Sequence, residues 1–142
     1  MGRILKDSFA KDLALGAKAK ADNVRGASPR LAATQTVDDD PQTYWATDDE
    51  ITTGVLELDL GTERSFDVVM LRECIKLGQR VSRFRVEAEV DGAWVQVCEG
   101  TTIGYKRLLR IPVVKKTRRV RVHILAAEAC PTLSTIGLYR SP

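Results

Sequence analysis

Phe84-Arg85-Val86-Glu87-Ala88-Glu89-Val90 places an apolar residue at every second position with a charge between. Asp91-Gly92 follows at once, and Ala93-Trp94-Val95-Gln96-Val97-Cys98 starts the pattern again. Alternation with period 2 sends each set of side chains to one face of an extended chain, whereas a helix would spread them around its circumference. Asp-Gly accepts the positive φ angles of a tight two-residue turn. The stretch therefore predicts a β-hairpin and commits the chain to antiparallel neighbours.

The same pattern recurs on both sides. Leu56, Leu58 and Leu60 alternate with Glu57 and Asp59, and Gly61-Thr62 is expected to end that run. Phe66 to Arg72 reads as a strand rich in β-branched and apolar residues, and Glu73 to Arg80 as a loop closed by Gly78. A further strand is expected from about Tyr105 to Ile111, stopped by Pro112. Val120, Val122 and Ile124 alternate with Arg119, Arg121 and His123, and Leu138-Tyr139 closes a last short strand. Short strands, frequent turn signals and little helical periodicity predict an all-β fold, an antiparallel jelly-roll-like β-sandwich, and argue against a helical bundle. Two readings stay open near the start: a short helix over residues 5 to 14, or a strand entering through Ala17-Lys18-Ala19-Lys20-Ala21. Leu31-Ala32-Ala33 suits one helical turn after a loop. A length of 142 residues suits a single domain over 1–142, with 1–16 as an N-terminal extension or short helix.

Composition narrows the function. No apolar run reaches the roughly 18 residues that span a bilayer, so no membrane span is expected. Met1 to Asp7 lacks the apolar core of a secretory signal; any export signal is expected to have been removed or to belong to a longer parent. Cys74, Cys98 and Cys130 show no CxxC spacing; they are expected to fill apolar volume, with one bridge plus one free thiol as the alternative. The net charge of +3 conceals an acidic stretch (Asp38, Asp39, Asp40, Asp48, Asp49, Glu50) and a later basic one from Lys106 to Arg121. The basic stretch has no aromatic–basic motif for base stacking, so no nucleic acid partner is expected and the charges read as solvated faces.

His123 is the only histidine, and it sits on the Arg-rich face of a strand. No Gly-rich phosphate loop, HExxH or nucleophile elbow is present, and catalysis by this chain is not expected. Asp38, Asp40 and Thr43 can supply oxygens to calcium, or can form an Asx-rich turn; both readings stand. Tyr44 and Trp45 would anchor that loop to the core. Arg72, Glu73, Gln79 and Arg80 offer donors and acceptors to sugar hydroxyls or a carboxylate, and Tyr105 and Lys106 add a flat ring and a cation.

With these motifs in order, the chain resembles the discoidin or coagulation factor 5/8 type C family, which includes galactose-binding-like carbohydrate modules similar to carbohydrate-binding module family 32. The marks are Val37-Asp38-Asp39-Asp40-Pro41-Gln42-Thr43-Tyr44-Trp45, Leu56-Glu57-Leu58-Asp59-Leu60-Gly61, Asp91-Gly92-Ala93-Trp94 and Arg118-Arg119-Val120-Arg121-Val122. Leu71 to Arg80, Gly100 to Arg107 and Ala129 to Tyr139 look like stretches of the C-terminal β-sandwich of family 29 α-L-fucosidases. The resemblance implies an eight-stranded, galactose-binding-domain-like sandwich that binds a glycan or terminal monosaccharide and accompanies a catalytic glycoside hydrolase domain. It also implies an extracellular, periplasmic or lysosomal setting. The alternative is a domain that braces a catalytic barrel without binding glycan. Ligand contacts are implied at Arg72, Glu73, Arg80, Tyr105 and Lys106, to which the loop's own chemistry adds Gln79, and a structural calcium at Asp38, Asp40 and Thr43. Thr135 stands where that subgroup often has Glu, which removes a strong calcium ligand.

Overall fold

The computed structural model of the protein describes residues 12–38, 40, 42–74, 79–104 and 106–140, apart from the side chains of Val113 and Lys115. Its strands are β1 (Lys18–Ala21), β2 (Trp45–Ala46), β3 (Gly54–Arg72), β4 (Val81–Val90), β5 (Ala93–Gly100), β6 (Arg107–Ala127), β7 (Thr132–Leu133) and β8 (Thr135–Tyr139). All pair antiparallel. Single turns of 3₁₀ helix at Arg25–Ala27, Pro29–Leu31 and Ala33–Val37 fill the long connection between β1 and β2.

The predicted hairpin forms, with Asp91 at φ 52° and Gly92 at φ 80°, the two left-handed positions that a type I′ turn requires. The entering strand over 18–21 also forms, paired with Leu56 to Asp59 of β3. The alternative helix at 5–14 lies mostly outside the described residues, and residues 13–16 form a turn.

Two expected strand ends are absent. Gly61-Thr62 does not end β3, which bends there with Gly61 at φ 84° and runs on to Arg72. Pro112 does not stop β6, which continues from Arg107 to Ala127. The pairing of β3 with β6 shifts register between Phe66 and Val68, opposite Val114 and Arg110, so Pro112 falls within an irregularity. A proline lacking its N–H is tolerated at such a bulge.

The bends in β3 and β6 make the sandwich. The first half of β3 pairs with β1 and with the second half of β6, which in turn pairs with β4. The second half of β3 pairs with β8 and with the first half of β6. Two long strands thus pass from one layer to the other through bulges. Leu56, Leu58, Phe84, Val86, Ala88, Val120 and Val122 from one layer meet Phe66, Val69, Leu71, Ile136 and Leu138 from the other, all fully buried. Trp45 also lies in this core at 0% exposure, and its Nε1 donates to the Asn23 carbonyl at 2.9 Å.

On the outer face of the β1–β5 layer the charges neutralise each other across strands. Glu87 accepts from His123 Nε2 at 2.7 Å and from Arg121 at 3.3 Å, and Arg121 stacks on Trp94 at 3.7 Å from the ring centre. His123 is therefore covered by charged neighbours, with 15% of its side chain exposed, instead of standing free in solvent. Arg118 pairs with Asp59 at 2.9 Å, which holds the Asp59 carboxyl below the usual range. All three cysteines are free thiols; burial pushes Cys98 up to about 11.

Candidate functional site

The loop end of the sandwich is held together by side chains from distant parts of the sequence. Connections 22–53, 73–80, 101–106 and 128–134 meet there, tied by Glu73 N–H to the Gly104 carbonyl at 2.9 Å and Glu128 N–H to the Arg80 carbonyl at 2.9 Å. The β2–β7 pair, Trp45 opposite Leu133, closes the first connection onto the last. Between them opens a cleft of about 580 Å³, walled chiefly by Arg25, Tyr44, Glu50, Arg80, Glu128 and Cys130.

Arg25 is the strut of this cleft. Its Nε donates to the Thr47 carbonyl at 3.1 Å, and its Nη2 reaches Asp49 at 2.7 Å and Cys130 Sγ at 2.7 Å. The hydrogen bond to Asp49 raises the guanidinium pKa further. From the other wall, Arg80 Nη1 donates to the Cys130 carbonyl at 3.0 Å and sits 3.1 Å from its Sγ. Two guanidinium groups from opposite loops therefore converge on one residue. Asp48 secures the outer wall: its carboxylate accepts from Gly26 N–H at 2.7 Å and from the Asn23 side chain at 3.2 Å, while Asn23 Oδ1 accepts from Asp48 N–H at 2.8 Å.

These bonds depress the Asp48 pKa from its ordinary 3.8, the Gly26 N–H being the largest cause. A carboxylate whose folded pKa is depressed stabilises the fold above its unfolded value and loses that contribution as pH falls through the folded value. The loop wall should therefore loosen as pH falls below the ordinary carboxylate value of 3.8, in a step that Asp48→Asn abolishes. Amide exchange at Gly26 measured through that range checks this; protection that is constant to the acid limit contradicts it.

Glu73, expected to face a ligand, faces the protein. It is 2% exposed, and its Oε1 accepts from the N–H groups of Arg80 at 2.7 Å and Val81 at 3.0 Å. Its Oε2 accepts from Gly104 N–H at 2.8 Å. The carboxylate clamps the ends of β3 and β4 to the 101–106 connection by accepting from three backbone N–H groups at once.

In the acidic loop, Asp38 Oδ1 accepts from Asp40 N–H at 3.0 Å, and Asp40 Oδ1 from Gln42 N–H at 2.8 Å, two successive Asx turns. Thr43 Oγ1 lies in contact with Asp38 Oδ2 and within 3.0 Å of the Asp40 carbonyl and 3.4 Å of the Gln35 carbonyl. One hydroxyl proton can serve only one of three acceptors. This convergence of oxygens suits a hard cation. Among the described residues no three Asp, Glu, His or Cys side chains gather in metal-binding geometry, so such a cluster would lean on carbonyl and hydroxyl oxygens.

The family model for the F5/8 type C domain matches residues 18–136. The chain belongs to that family. Alpha-L-fucosidase 1 of Arabidopsis thaliana is 33% identical to this F5/8 type C domain over 134 residues, which are 92% of the chain and 26% of the relative. A GH29 fucosidase of Ruminococcus gnavus, solved in complex with fucose, superposes with a TM-score of 0.89 at 36% identity, covering 99% of this chain and 29% of that one. The domain thus spans about a quarter to a third of these relatives. Chitosan-binding module 1 of a Paenibacillus sp. IK-5 chitosanase/glucanase superposes with a TM-score of 0.79 over 91% of this chain and 98% of the module; at 20% identity the likeness is one of fold.

Within this F5/8 type C domain, the residues expected at the site separate. Arg80 lines the cleft. Gln79 is exposed and lies against Gly104, whose φ of 68° and neighbouring Gln79 Oε1, 3.1 Å from where a Cβ would stand, suit glycine. Arg72 is half-buried at the end of β3, where its carbonyl accepts from Ser134 N–H at 2.8 Å; neither it nor the exposed Lys106 forms the cleft wall. Tyr105 lies outside the described residues. Arg25, Asp49, Glu50, Thr52 and Glu128 join the cleft without having been singled out as ligand contacts.

Proposed function

We propose that this domain is a non-catalytic carbohydrate-binding module, accessory to a glycoside hydrolase of α-L-fucosidase type, and that the loop-end cleft receives a glycan or terminal monosaccharide. The observation that carries the proposal is the cleft itself: a ring (Tyr44), carboxylates, a hydroxyl and ordered guanidinium groups drawn from separate loops onto a rigid sandwich. The fucosidase names of the longer relatives support the accessory role, and an extracellular, periplasmic or lysosomal setting belongs to the same reading.

A glycan array probed with the whole chain, with and without calcium, tests this. Saturable binding is expected, weakened roughly 5- to 30-fold by Tyr44→Ala, since loss of a stacking ring and its buried area removes on the order of 1–2 kcal/mol. Absence of binding across a broad array would instead favour a domain that braces a catalytic barrel.

Structural calcium is part of the proposal. Asp38, Asp40 and Thr43, with the Gln35 carbonyl, would hold it and lock the acidic loop against β2. With few formal charges and Thr135 in place of a carboxylate, the affinity is expected in the range of about 10⁻⁴ to 10⁻³ M. About 10 mM calcium should then stabilise the fold by about 1.4–2.7 kcal/mol and raise Tm by roughly 3–11 °C over an EDTA control, and Asp38→Asn should erase the difference. Identical melting curves would leave the loop as a pair of Asx turns.

A further inference from the structure

We infer that the cleft selects a sugar bearing an amino group, of the 2-amino-2-deoxyhexose kind, over a neutral or acidic one. The inference rests on the cleft being the sugar site and concerns what that site prefers. It follows from which polar groups the protein has already used. The positive charges are turned into the walls: Arg25 is engaged by Thr47, Asp49 and Cys130, and Arg80 by Cys130. The negative charges are not. Among the described residues, the carboxylates of Glu50 and Glu128 and the hydroxyls of Tyr44 and Thr52 make no hydrogen bond or ion pair, yet all four side chains line the cleft.

With Arg25 and Asp49 cancelling each other, the remaining charges of the cleft lining are one guanidinium, Arg80, and two carboxylates, Glu50 and Glu128. The groups left for a ligand are thus mostly acceptors, and both formal charges among them are negative. Glu50 is also held at φ 72° at the exposed rim, in the left-handed region that a non-glycine residue adopts at a cost. The turn bonds Ile51 N–H to the Asp48 carbonyl at 3.1 Å and Thr47 Oγ1 to the Ile51 carbonyl at 2.7 Å keep it there. A sugar ammonium supplies three donors and a positive charge to this set, a neutral sugar supplies hydroxyls only, and a uronic acid brings repulsion.

The test is an NMR titration of the whole chain with glucosamine and galactosamine, their neutral parents and the matching uronic acids. It is run at about pH 6, where the amine is protonated, and at low salt. Each exposed ion pair is worth a factor of about 2–5, so the amino sugars should bind roughly 5- to 20-fold tighter than the neutral parents. Uronic acids should bind weakest. The advantage should shrink at about 0.5 M salt. It should disappear in Glu50→Gln/Glu128→Gln, exposed changes whose melting curve is a check on folding. Neutral sugars binding as well as amino sugars, a preference for the acids, or a preference untouched by the double substitution would overturn this inference and leave the sugar site standing. No shift at cleft residues with any sugar would remove both.

Discussion

Trp45→Ala should lower the unfolding free energy by about 3–5 kcal/mol, the cost of emptying a fully buried aromatic site. Trp45 is 0% exposed, and its Nε1 bond to Asn23 ties the 22–53 connection to the core. Its ring lies against Gly54 so closely that a Cβ there would stand 2.8 Å from Cη2 and 3.0 Å from Cζ2. Gly54→Ala should therefore cost about 1–3 kcal/mol by overpacking. The two changes share one contact, so they should not add: in the double variant the clash is gone, and the total should fall below the sum. Urea denaturation of the four proteins measures the coupling, and simple additivity contradicts the packing described.

A second large effect is expected at Glu73. Glu73→Gln keeps one acceptor oxygen and puts an NH₂ group against an N–H, and Glu73→Ala leaves three N–H groups without their carboxylate. Bonds to a charged acceptor contribute about 1.5–3 kcal/mol each, and partial relaxation recovers some of the loss. The expected costs are about 2–3 kcal/mol for Gln and about 3–5 kcal/mol for Ala. Hydrogen exchange locates the damage: protection should fall at Arg80, Val81 and Gly104 together, since one carboxylate serves all three. Unchanged stability with weakened sugar binding would return Glu73 to the ligand-contact role expected from sequence.

The sandwich was legible where burial imposes a period. Leu56 and Leu58, Phe84, Val86 and Ala88, and Val120 and Val122 are among the fully buried members of their strands, and each was marked by alternation. Strand ends were less legible because glycine and proline signal a local irregularity without saying whether the chain turns away or bends and continues. Gly61 and Pro112 do the latter, since β3 and β6 must cross between layers. The cleft was least legible. Arg25 and Cys130 stand 105 positions apart and meet only because the sandwich brings opposite ends of the chain to one side. Loop residues carry no period that marks which way they point. Arg80, singled out for the donors its loop offers, does line the cleft, whereas Arg25, Glu50 and Glu128 were not singled out as ligand contacts. Glu73 misled for a related reason: a carboxylate between Arg72 and Cys74 reads as a loop acid until the three N–H groups around it are seen.

Backbone amide chemical shifts, followed while a glycan hit is titrated into the ¹⁵N-labelled domain, test the central claim most directly. The account predicts that the perturbed amides cluster on Tyr44, Asp49, Glu50, Thr52, Arg80 and Glu128, and that the outer face around Trp94 and Arg121 stays still. Perturbations confined to Arg72 and Lys106, or to the outer face, would contradict it.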